Sequence, residues 1–525
     1  MDGSLGRRVT LTVLLSAVAV LTRVPLASRY LFDWDAVGFA LALDHYDVSL
    51  YQPHPPGYLL LVGCAKAIRA VLSDPNRSLV TLSILATALA LVLTWALGRR
   101  LRDDGVGVAA ALLLASNPIF WFYGEVAGAY AIDAAASVAV AYACYRAVSD
   151  AEASPWAASL VFAIAVGFRQ SLGALLLPVY LWALLGNRRP WGRKLLPAAV
   201  AALLTILWTL VMAHASGGYE AYREVTRSLL STMLGRTSLV FGASLADALR
   251  NLAGFAIWTA MAGGLIALPA FRGVRWQPGG RGRWFGEKAF LAVWLLPPML
   301  FYAVVHMIKA GYALTYAPGL SLVAALWIGD SSATRRGARR RSAGLVALAV
   351  VLQAAFFLGA GPVRPETIAS AARTARLPEV HRLDYLVNNL LLRFSARGIS
   401  LFDEDTACLL EQIRRTPAPL AVVGTGDWAR IIAYYRPDLD VIFFPDLPPS
   451  RVSLFPGHRG VRLVAPNEAL LPRRTRLVWI SPSRSDLPGP ARRATPGCTP
   501  FAPAVEIFGP AAPPLRNHEV LLRWE

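Results

Sequence analysis

Two aspartates and a histidine follow the first long apolar stretch of the chain. Asp33, Asp35 and His54 all lie in LFDWDAVGFALALDHYDVSLYQPHPPGY, which covers residues 31–58. A carboxylate can take the proton of an attacking hydroxyl group, while a cationic or hydrogen-bonding side chain offsets negative charge on a departing group. The composition of this segment therefore favours group-transfer chemistry at the end of an apolar helix.

Further polar side chains are predicted to reach the same surface from short turns between later apolar stretches. These are Glu125, Asp133, Arg169, His306 and Lys309. Polar residues and aromatic belts are ordinary at the ends of membrane helices, which is a sufficient explanation for any one of them. The whole set is different, because carboxylates and cations close to hydrocarbon are costly unless they pair or take part in chemistry. Asp133 is the sharpest case, since it lies in an otherwise apolar helix.

Carboxylates that face cations at the edge of a membrane fit the transfer of a sugar from a lipid-linked phosphate donor. One carboxylate would act as general base towards the acceptor hydroxyl, and an arginine, lysine or histidine would stabilise the leaving phosphate. A divalent metal ion is neither required nor excluded. Asp33, Asp35 and Glu125 offer the oxygen ligands that such ions prefer, but their spacing does not compel a metal site.

The elements that position these residues are predicted to be membrane helices. Of the 525 residues, 55% are hydrophobic and only 16% are charged, which excludes a water-soluble globule for most of the chain. The net charge of +19 comes from short basic clusters between apolar stretches, a pattern typical of cytoplasmic loops rather than of a nucleic-acid-binding protein. Arginine far outnumbers lysine, which favours a GC-rich bacterial genome.

About eleven apolar stretches are candidates for membrane spans, since about 20 helical residues cross roughly 30 Å of hydrocarbon. Arg7 and Arg8 precede the first stretch, and no convincing signal-peptide cleavage site follows it. We therefore expect a retained anchor with the N-terminus inside. The stretches cover residues 9–28, 78–98, 105–123, 129–147, 155–168, 171–187, 195–214, 251–271, 288–306, 312–329 and 343–361.

The segment 57–72 (GYLLLVGCAKAIRAVL) is ambiguous, because it is short and carries a lysine and an arginine on one helical face. If it lies along the outer surface, all four basic clusters of the chain fall inside; if it spans, all four fall outside. We therefore predict an interfacial helix within the first external loop, 29–77. The acidic inside loop SDAEASP is an exception. The basic clusters cover residues 99–102, 188–194, 272–283 and 335–341.

From residue 362 onward the composition becomes that of a soluble protein, in which short apolar runs alternate with a helical segment. We therefore predict a mainly α chain: a polytopic membrane domain, 1–361, followed by a small extracytoplasmic α/β domain, 362–525. GTGDW within it is interpreted as a strand-to-helix turn, because it lacks the spacing of a dinucleotide loop. Cys408 and Cys498 both fall in this domain, and an external disulfide or two free thiols are open alternatives.

The layout of residues 8–330 resembles the C-type membrane glycosyltransferases, the superfamily that includes protein O-mannosyltransferases and the lipid A aminoarabinose transferase. The shared order is a first span, an external loop with an acidic pair, a prolyl-proline motif (HPPGY), an interfacial helix and a span ending in Arg-Arg. The resemblance implies a GT-C fold in the cytoplasmic membrane. It also implies a polyprenyl-phosphate sugar donor and a glycan, lipid or protein acceptor at the outer face.

The resemblance extends to individual positions in the first loop. Asp35 matches the catalytic aspartate of the family's Asp-Glu pair, with Ala36 in place of the glutamate and Asp33 as its helper. His54 takes the place of a lysine that approaches the donor phosphate. Since a neutral histidine carries no full charge, His54 must be protonated or share this role with another cation.

Later turns carry the remaining matches. Arg169 in GFRQS resembles a family lysine and is the first candidate for the shared cationic role. Glu125 and Asp133 are alternative carriers of the second acidic motif. The stretch HMIKAGY resembles a late external loop, from which Lys309, with His306 beside it, would reach the phosphate.

Two other classes of protein stay open. A secondary transporter is compatible with eleven spans, although no repeat between two halves is evident and the charges lie at helix ends rather than at the midplane. A non-catalytic envelope assembly protein would use its outer domain for binding. In that case the carboxylates would only form ion pairs with Arg169 and Lys309.

Overall fold

The computed structural model describes most of the chain. Residues outside the description are 1, 278–282, 308, 331–335, 365–366, 369, 371–384, 417–419, 425, 444–460, 464–467, 472–475, 482–497, 499–503, 509–514, 518–519 and 525.

The described chain is mainly helical, with strands confined to its C-terminal part. The α-helices are α1 Asp2–Arg23, α2 Trp34–Asp44, α3 Leu59–Leu72, α4 Pro75–Leu101, α5 Asp104–Ser116, α6 Pro118–Tyr123, α7 Tyr130–Ser149, α8 Trp156–Phe168, α9 Ser171–Gly186, α10 Trp191–Ala215, α11 Tyr219–Leu234, α12 Leu245–Thr259, α13 Leu265–Gly273, α14 Glu287–Val304, α15 Ala317–Asp330, α16 Arg336–Gly359, α17 Ala396–Arg415 and α18 Gly426–Tyr435. Shorter helical segments are Val24–Leu26, Val48–Leu50, Leu239–Phe241, Ala260–Gly264, Arg283–Phe285, Ala310–Thr315 and Tyr385–Leu392.

The apolar helices make this a multi-pass membrane protein. Within the described residues, seven helical stretches are long and apolar enough to cross a membrane, and they contain α1, α4, α7, α10, α12 joined to α13, α14 and α16. Four shorter apolar helices, α5, α8, α9 and α15, fall on the remaining predicted stretches. The positions of the apolar helices therefore agree with the sequence, while eleven complete crossings remain a prediction.

Helix α3 corresponds to the ambiguous segment 57–72. Its 14 residues rise about 21 Å, which is less than the roughly 30 Å of hydrocarbon. Leu61, Val62 and Ala65 are buried against the rest of the protein, while Lys66 and Cys64 are exposed. Its length and its two-sided character fit the predicted interfacial helix, whose depth in the membrane stays a prediction.

Ion pairs join several basic loops at one end of the helical bundle. Arg102 donates two hydrogen bonds to the Glu287 carboxylate, at 2.5 and 2.6 Å. The acidic loop that seemed an exception is part of this network, because Asp150 pairs with Arg100 and Glu152 pairs with Arg189. The loop SDAEASP therefore neutralises part of the positive charge of its neighbours.

The central helix α4 packs against α1, α3, α5 and α7. Its contact with α5 depends on two glycines. A Cβ atom on Gly98 would lie 2.7 Å from the Gly107 Cα, and one on Gly107 would lie 2.4 Å from the Trp95 carbonyl oxygen. Small residues allow membrane helices to approach this closely, which places α4 and α5 backbone against backbone.

The C-terminal part contains two sheets. The strands are β1 Leu420–Gly424, β2 Asp440–Phe443, β3 Val461–Leu463, β4 Glu468–Leu471, β5 Arg476–Ser481, β6 Ala504–Phe508, β7 Leu515–Asn517 and β8 Val520–Trp524. The first sheet has the order β3-β2-β1-β5-β6, parallel except for β6, and the second has the order β4-β8-β7. The helix α18 connects parallel strands β1 and β2, so GTGDW joins a strand to a helix as predicted.

Cys408 of α17 and Cys498 form a disulfide, which decides between the two alternatives left open by the sequence. The observed strands and helices are those of an α/β unit. The domain boundary near residue 362 stays a prediction.

Candidate active site

The two aspartates of the first loop lie at the N-terminal end of α2. Asp33 is the capping residue: its Oδ1 accepts a hydrogen bond from the Ala36 backbone N–H at 2.9 Å. Asp35 follows in the first helical turn. The predicted loop is therefore already helical at Asp35, and the cap holds both carboxylates at one helix end.

Lys309 lies between the two carboxylates. Its Nζ donates to Asp33 Oδ2 at 2.9 Å and also to Asp35 Oδ2. The side chains of Asp33, Asp35 and Lys309 are 20%, 19% and 29% exposed, respectively. The cluster can therefore be reached from outside the fold. A lysine shared by two carboxylates leaves this cluster with one net negative charge.

His54 lies on the other side of Asp35. Its Nδ1 is 3.6 Å from Asp35 Oδ1, and its Nε2 is hydrogen-bonded to the Tyr58 hydroxyl at 3.0 Å. Burial, opposed by Asp35 but supported by the nearby cations, lowers the pKa of His54 to about 4. His54 is therefore neutral at pH 7, and Lys309 supplies the positive charge beside Asp35.

Several charges act on Asp35. Burial alone would raise the pKa of this carboxyl, but His54, Lys309 and Arg430 outweigh it and hold the pKa well below its usual range. His54 contributes in the acid range where Asp35 titrates, because the imidazole is protonated there. Asp35 is therefore a carboxylate at neutral pH, as a general base must be.

A second, deeper pair lies next to this cluster. Arg169 and Asp133 are both buried, and Arg169 Nη1 donates to Asp133 Oδ2. The guanidinium carbon lies 5.9, 5.6 and 5.1 Å from the ring centres of Tyr58, Tyr130 and Tyr312. Such contacts between a cation and aromatic faces stabilise the charge of a desolvated arginine.

This pair keeps unused hydrogen-bonding capacity. Among the described residues, neither Arg169 Nε nor Asp133 Oδ1 has a hydrogen-bond partner. Tyr58 links the pair to the first cluster, since its hydroxyl binds His54 and its ring faces Arg169. Buried polar atoms are normally satisfied, so these atoms mark a place where a polar ligand can be received.

Glu125 lies elsewhere. Its Oε1 accepts from Trp121 Nε1 at 2.7 Å, and Arg23 of the first helix lies over the Trp121 ring at 4.8 Å. Burial raises the pKa of Glu125 to about 9 despite the opposing effects of Arg23 and Trp121. Of the two alternatives for the second acidic motif, Asp133 is the one bound to Arg169, whereas Glu125 lies with Trp121 and Arg23.

His306 reaches the site only through a tyrosine. Its Nε2 lies 3.4 Å from the Tyr312 hydroxyl, and its Nδ1 lies 3.3 Å from Thr237 Oγ1. Burial and the charge of Arg169 lower the pKa of His306 to about 4. The imidazole thus lies behind Tyr312, and its predicted contact with the phosphate stays a prediction.

The described part of the chain contains no group of three or more His, Cys, Asp and Glu side chains arranged to hold a metal ion. Lys309 occupies the position between Asp33 and Asp35, and Glu125 lies with Trp121. The three carboxylates considered for a metal therefore do not converge on one point.

Sequence reasoning missed the tyrosines around Arg169 and a cation from the C-terminal part. Gly311 allows the tyrosines to pack, because a Cβ atom there would lie 2.2 Å from the Tyr130 ring. The glycine in the stretch KAGY was the one sequence feature that could have indicated this close approach. Arg430 of α18 donates to the Tyr51 carbonyl at 2.8 Å, and no local pattern links these distant positions.

An open cavity of about 430 Å³ is lined by Gln170, the residue that follows Arg169 in the chain. Tyr222 closes one side, where its hydroxyl donates to Gln170 Oε1 at 2.8 Å and lies 3.0 Å from the Pro56 carbonyl oxygen. The lining is mainly apolar and belongs to α8, α9, α10 and α11. Its residues are Phe162, Val166, Gln170, Gly173, Ala174, Leu177, Thr205, Thr209 and Tyr222.

Part of the chain is similar to a known protein family. A family model described as dolichyl-phosphate-mannose-protein mannosyltransferase matches residues 53–214, a segment that contains His54, Asp133 and Arg169. No curated protein sequence matches the chain.

Solved structures match over nearly the whole length. The crystal structure of ArnT from Cupriavidus metallidurans bound to undecaprenyl phosphate is 12% identical, with a TM-score of 0.55 and coverage of 92% of this chain and 94% of that one. The apo structure of the same enzyme is 14% identical, with a TM-score of 0.52 and coverage of 91% and 94%. The chain has the GT-C fold of ArnT and resembles the group of membrane glycosyltransferases formed by the protein O-mannosyltransferases and ArnT.

Proposed function

We propose that this protein transfers a sugar from a polyprenyl-phosphate-linked donor to an acceptor at the outer face of the cytoplasmic membrane. The acceptor is a glycan, a lipid or a protein. The observation that carries the proposal is the cluster of Asp33, Asp35 and Lys309, which is partly exposed and adjoins the buried pair of Arg169 and Asp133. A base for a hydroxyl and cations for a phosphate are thus side by side.

The donor phosphate would bind at Lys309, with Arg169 behind it. Lys309 is a point charge on a flexible stem and can turn from the carboxylates towards a phosphate oxygen. The unused Arg169 Nε can supply a further hydrogen bond. The apolar cavity beside Gln170 would take the first isoprene units, because its lining matches a hydrocarbon chain. The ArnT structure with undecaprenyl phosphate supports a polyprenyl-phosphate partner of this kind.

Binding of the donor would also activate the base. While Lys309 is shared between Asp33 and Asp35, it stabilises both carboxylates and weakens Asp35 as a proton acceptor. A phosphate that draws Lys309 away raises the pKa of Asp35 and frees its oxygen. The acceptor oxygen then forms a bond to the anomeric carbon, its proton passes to Asp35, and the bond from that carbon to the phosphate oxygen breaks. Prenyl phosphate leaves, stabilised by Lys309 and Arg169.

The distribution of charge supports an outward-facing site. The basic loops around Arg100, Arg102 and Arg189 are joined by ion pairs at one end of the bundle. Membrane proteins keep such loops on the cytoplasmic side. With the N-terminus inside and α3 lying flat, the Asp35 cluster and the C-terminal part face outwards.

The test begins with cells that lack this protein. Mass spectrometry of their envelope glycans and lipids should reveal a missing sugar, which identifies donor and acceptor together. Complementation with Asp35→Asn should leave that sugar absent although the variant inserts and folds, because an amide cannot accept the acceptor's proton. Asp44→Asn is the matched control, since Asp44 ends the same helix and pairs with Arg69 at the surface. Near-normal transfer by Asp35→Asn would refute Asp35 as the base.

A further inference from the structure

The C-terminal part is hydrogen-bonded to the segment that leads to the two site aspartates. Asp403 of α17 is buried, and its carboxylate accepts hydrogen bonds from the Ser28 hydroxyl at 3.0 Å, the Arg29 backbone N–H at 2.8 Å and the Tyr30 backbone N–H at 3.2 Å. The Tyr435 hydroxyl accepts from the next backbone N–H, that of Leu31, at 2.9 Å. Four consecutive residues before Asp33 are therefore held by side chains about 400 positions away.

Arg430 continues these contacts beyond Asp33. Its Nη1 lies 3.4 Å from the carbonyl oxygen of Trp34, the residue between the two site aspartates, and its guanidinium carbon lies 4.2 Å from the centre of the Trp34 ring. Its Nη2 donates to the Tyr51 carbonyl at 2.8 Å. Arg430 is only 2% exposed and joins the start of α2 to the loop that leads to His54.

These contacts bring buried charged side chains to a segment that has little secondary structure of its own. The connection between α1 and α2 contains little regular structure apart from the short turn at Val24–Leu26. A buried carboxylate or guanidinium is costly unless its hydrogen-bonding groups are satisfied, and here backbone groups of the acidic segment provide that satisfaction. Burial of Asp403 and Arg430 is thus coupled to one conformation of residues 28–35.

On the basis of the proposed function, we propose that Asp403 and Arg430 are positioning residues through which the C-terminal region holds Asp33 and Asp35 in the geometry required for transfer. The C-terminal region is then a structural part of the active site, in addition to any role in binding the acceptor. Neither residue needs to touch the substrate. Arg430 also adds positive charge near Asp35 and supports its ionised state.

Two readouts separate this role from general stability, and both use the full-length protein. The first is hydrogen exchange of the backbone in residues 28–36 after Asp403→Asn and after Arg430→Met. We expect clearly faster exchange in this segment and unchanged exchange in α4 and α7. Wild-type exchange at residues 28–36 in both variants would overturn the proposal, whatever reaction the protein catalyses.

The second readout is kinetic and uses the donor identified by the missing sugar. Arg430→Met should lower kcat by roughly 10- to 100-fold, because small displacements of a catalytic group cost about this much, while the KM for the donor changes less than about threefold. Arg430→Lys should restore part of the rate. Arg436→Met is the control, since Arg436 follows the same helix and pairs with Asp438 at the surface.

The pH profile gives a further check. The cationic or protonatable bases that act on Asp35 are His54, Lys309 and Arg430. Tyr58, Tyr130 and Tyr312 also interact electrostatically with it, and Asp33 shares its lysine. Loss of the Arg430 charge should move the acid limb of kcat/KM to higher pH, and Arg430→Lys should move it back. A folded Arg430→Met with wild-type kcat and pH profile would refute the positioning role. Absence of transfer in the wild type would instead refute the proposed function and leave the exchange experiment decisive for the positioning role.

Discussion

Replacement of Lys309 by methionine tests the central feature of the site. Lys309 Nζ lies 2.9 Å from Asp33 Oδ2 and also binds Asp35. A phosphate oxygen at the same distance would gain about 6 kcal/mol of Coulomb energy at an effective dielectric constant of about 20. Partial exposure and the cost of desolvation reduce this gain. We therefore expect a loss of about 3–4 kcal/mol in the transition state, which corresponds to a fall of roughly 10²- to 10³-fold in kcat/KM.

The same variant should change the pH dependence. Without Lys309, Asp35 loses an adjacent positive charge and keeps the negative charge of Asp33, and both changes raise its pKa. Activity should then be lost at a higher pH than in the wild type as the medium is acidified. Lys309→Arg should retain part of the rate, because it keeps a cation near the phosphate.

The assay measures single-turnover transfer by purified full-length protein in lipid nanodiscs across a pH series. Donor binding is measured separately, so that a change in KM can be distinguished from a change in the chemical step. Lys66→Met is the matched control, since Lys66 is exposed on α3. A folded Lys309→Met with a wild-type rate and an unchanged acid limb would contradict both the phosphate role and the shared ion pair.

Three further predictions follow from the geometry. Arg169→Met should destabilise the protein by about 3–5 kcal/mol, because it leaves Asp133 buried without its cation. The double variant Arg169→Met with Asp133→Leu should recover stability but not activity, and equal thermal stability of the wild type and both variants would contradict this. Ala174→Trp should fill the cavity and raise the KM for the prenyl donor, whereas Leu181→Trp should not, because Leu181 is exposed about two turns further along the same helix and does not line the cavity. Equal KM values for the two variants would argue against the cavity as the prenyl site. Cys408→Ser removes a disulfide between residues 90 positions apart and should destabilise the C-terminal region by about 2–4 kcal/mol, and an unshifted unfolding transition would contradict this.

The sequence alone was sufficient to locate the helices that are apolar enough to enter a membrane. A run of about 20 apolar residues can satisfy its backbone in hydrocarbon only as a helix, so the positions of α4, α7 and α10 followed from composition. The same argument left the segment of α3 ambiguous, because it is short and charged, and the positive-inside rule favoured an interfacial helix. Asp33 and Asp35 were expected in a loop just beyond the first apolar stretch, whereas the structure places them at the start of α2. The capping role of Asp33 was also visible in principle, since aspartate is a preferred residue at that position.

Other features depended on contacts between distant parts of the chain. Nothing local indicated that Lys309 would bind Asp33 and Asp35, which precede it by more than 270 residues. The roles of Glu125 and Asp133 could not be separated by sequence either, because Glu125 lies just before α7 and Asp133 lies in its first turn. The tertiary structure gives them different neighbours: Asp133 binds Arg169, whereas Glu125 binds Trp121, and burial raises the pKa of Glu125.

Charge at the site was likewise decided by tertiary structure. Histidine has a pKa near neutrality in water, so the sequence left open whether His54 is cationic. In the folded protein, burial and the neighbouring cations make it neutral, and Lys309 carries the charge. The length of the apolar stretches thus predicted which segments are candidates for membrane helices, because transfer from water to hydrocarbon depends on each residue in turn. Which carboxylate meets which cation depends on how helices pack, and only the tertiary structure decided it.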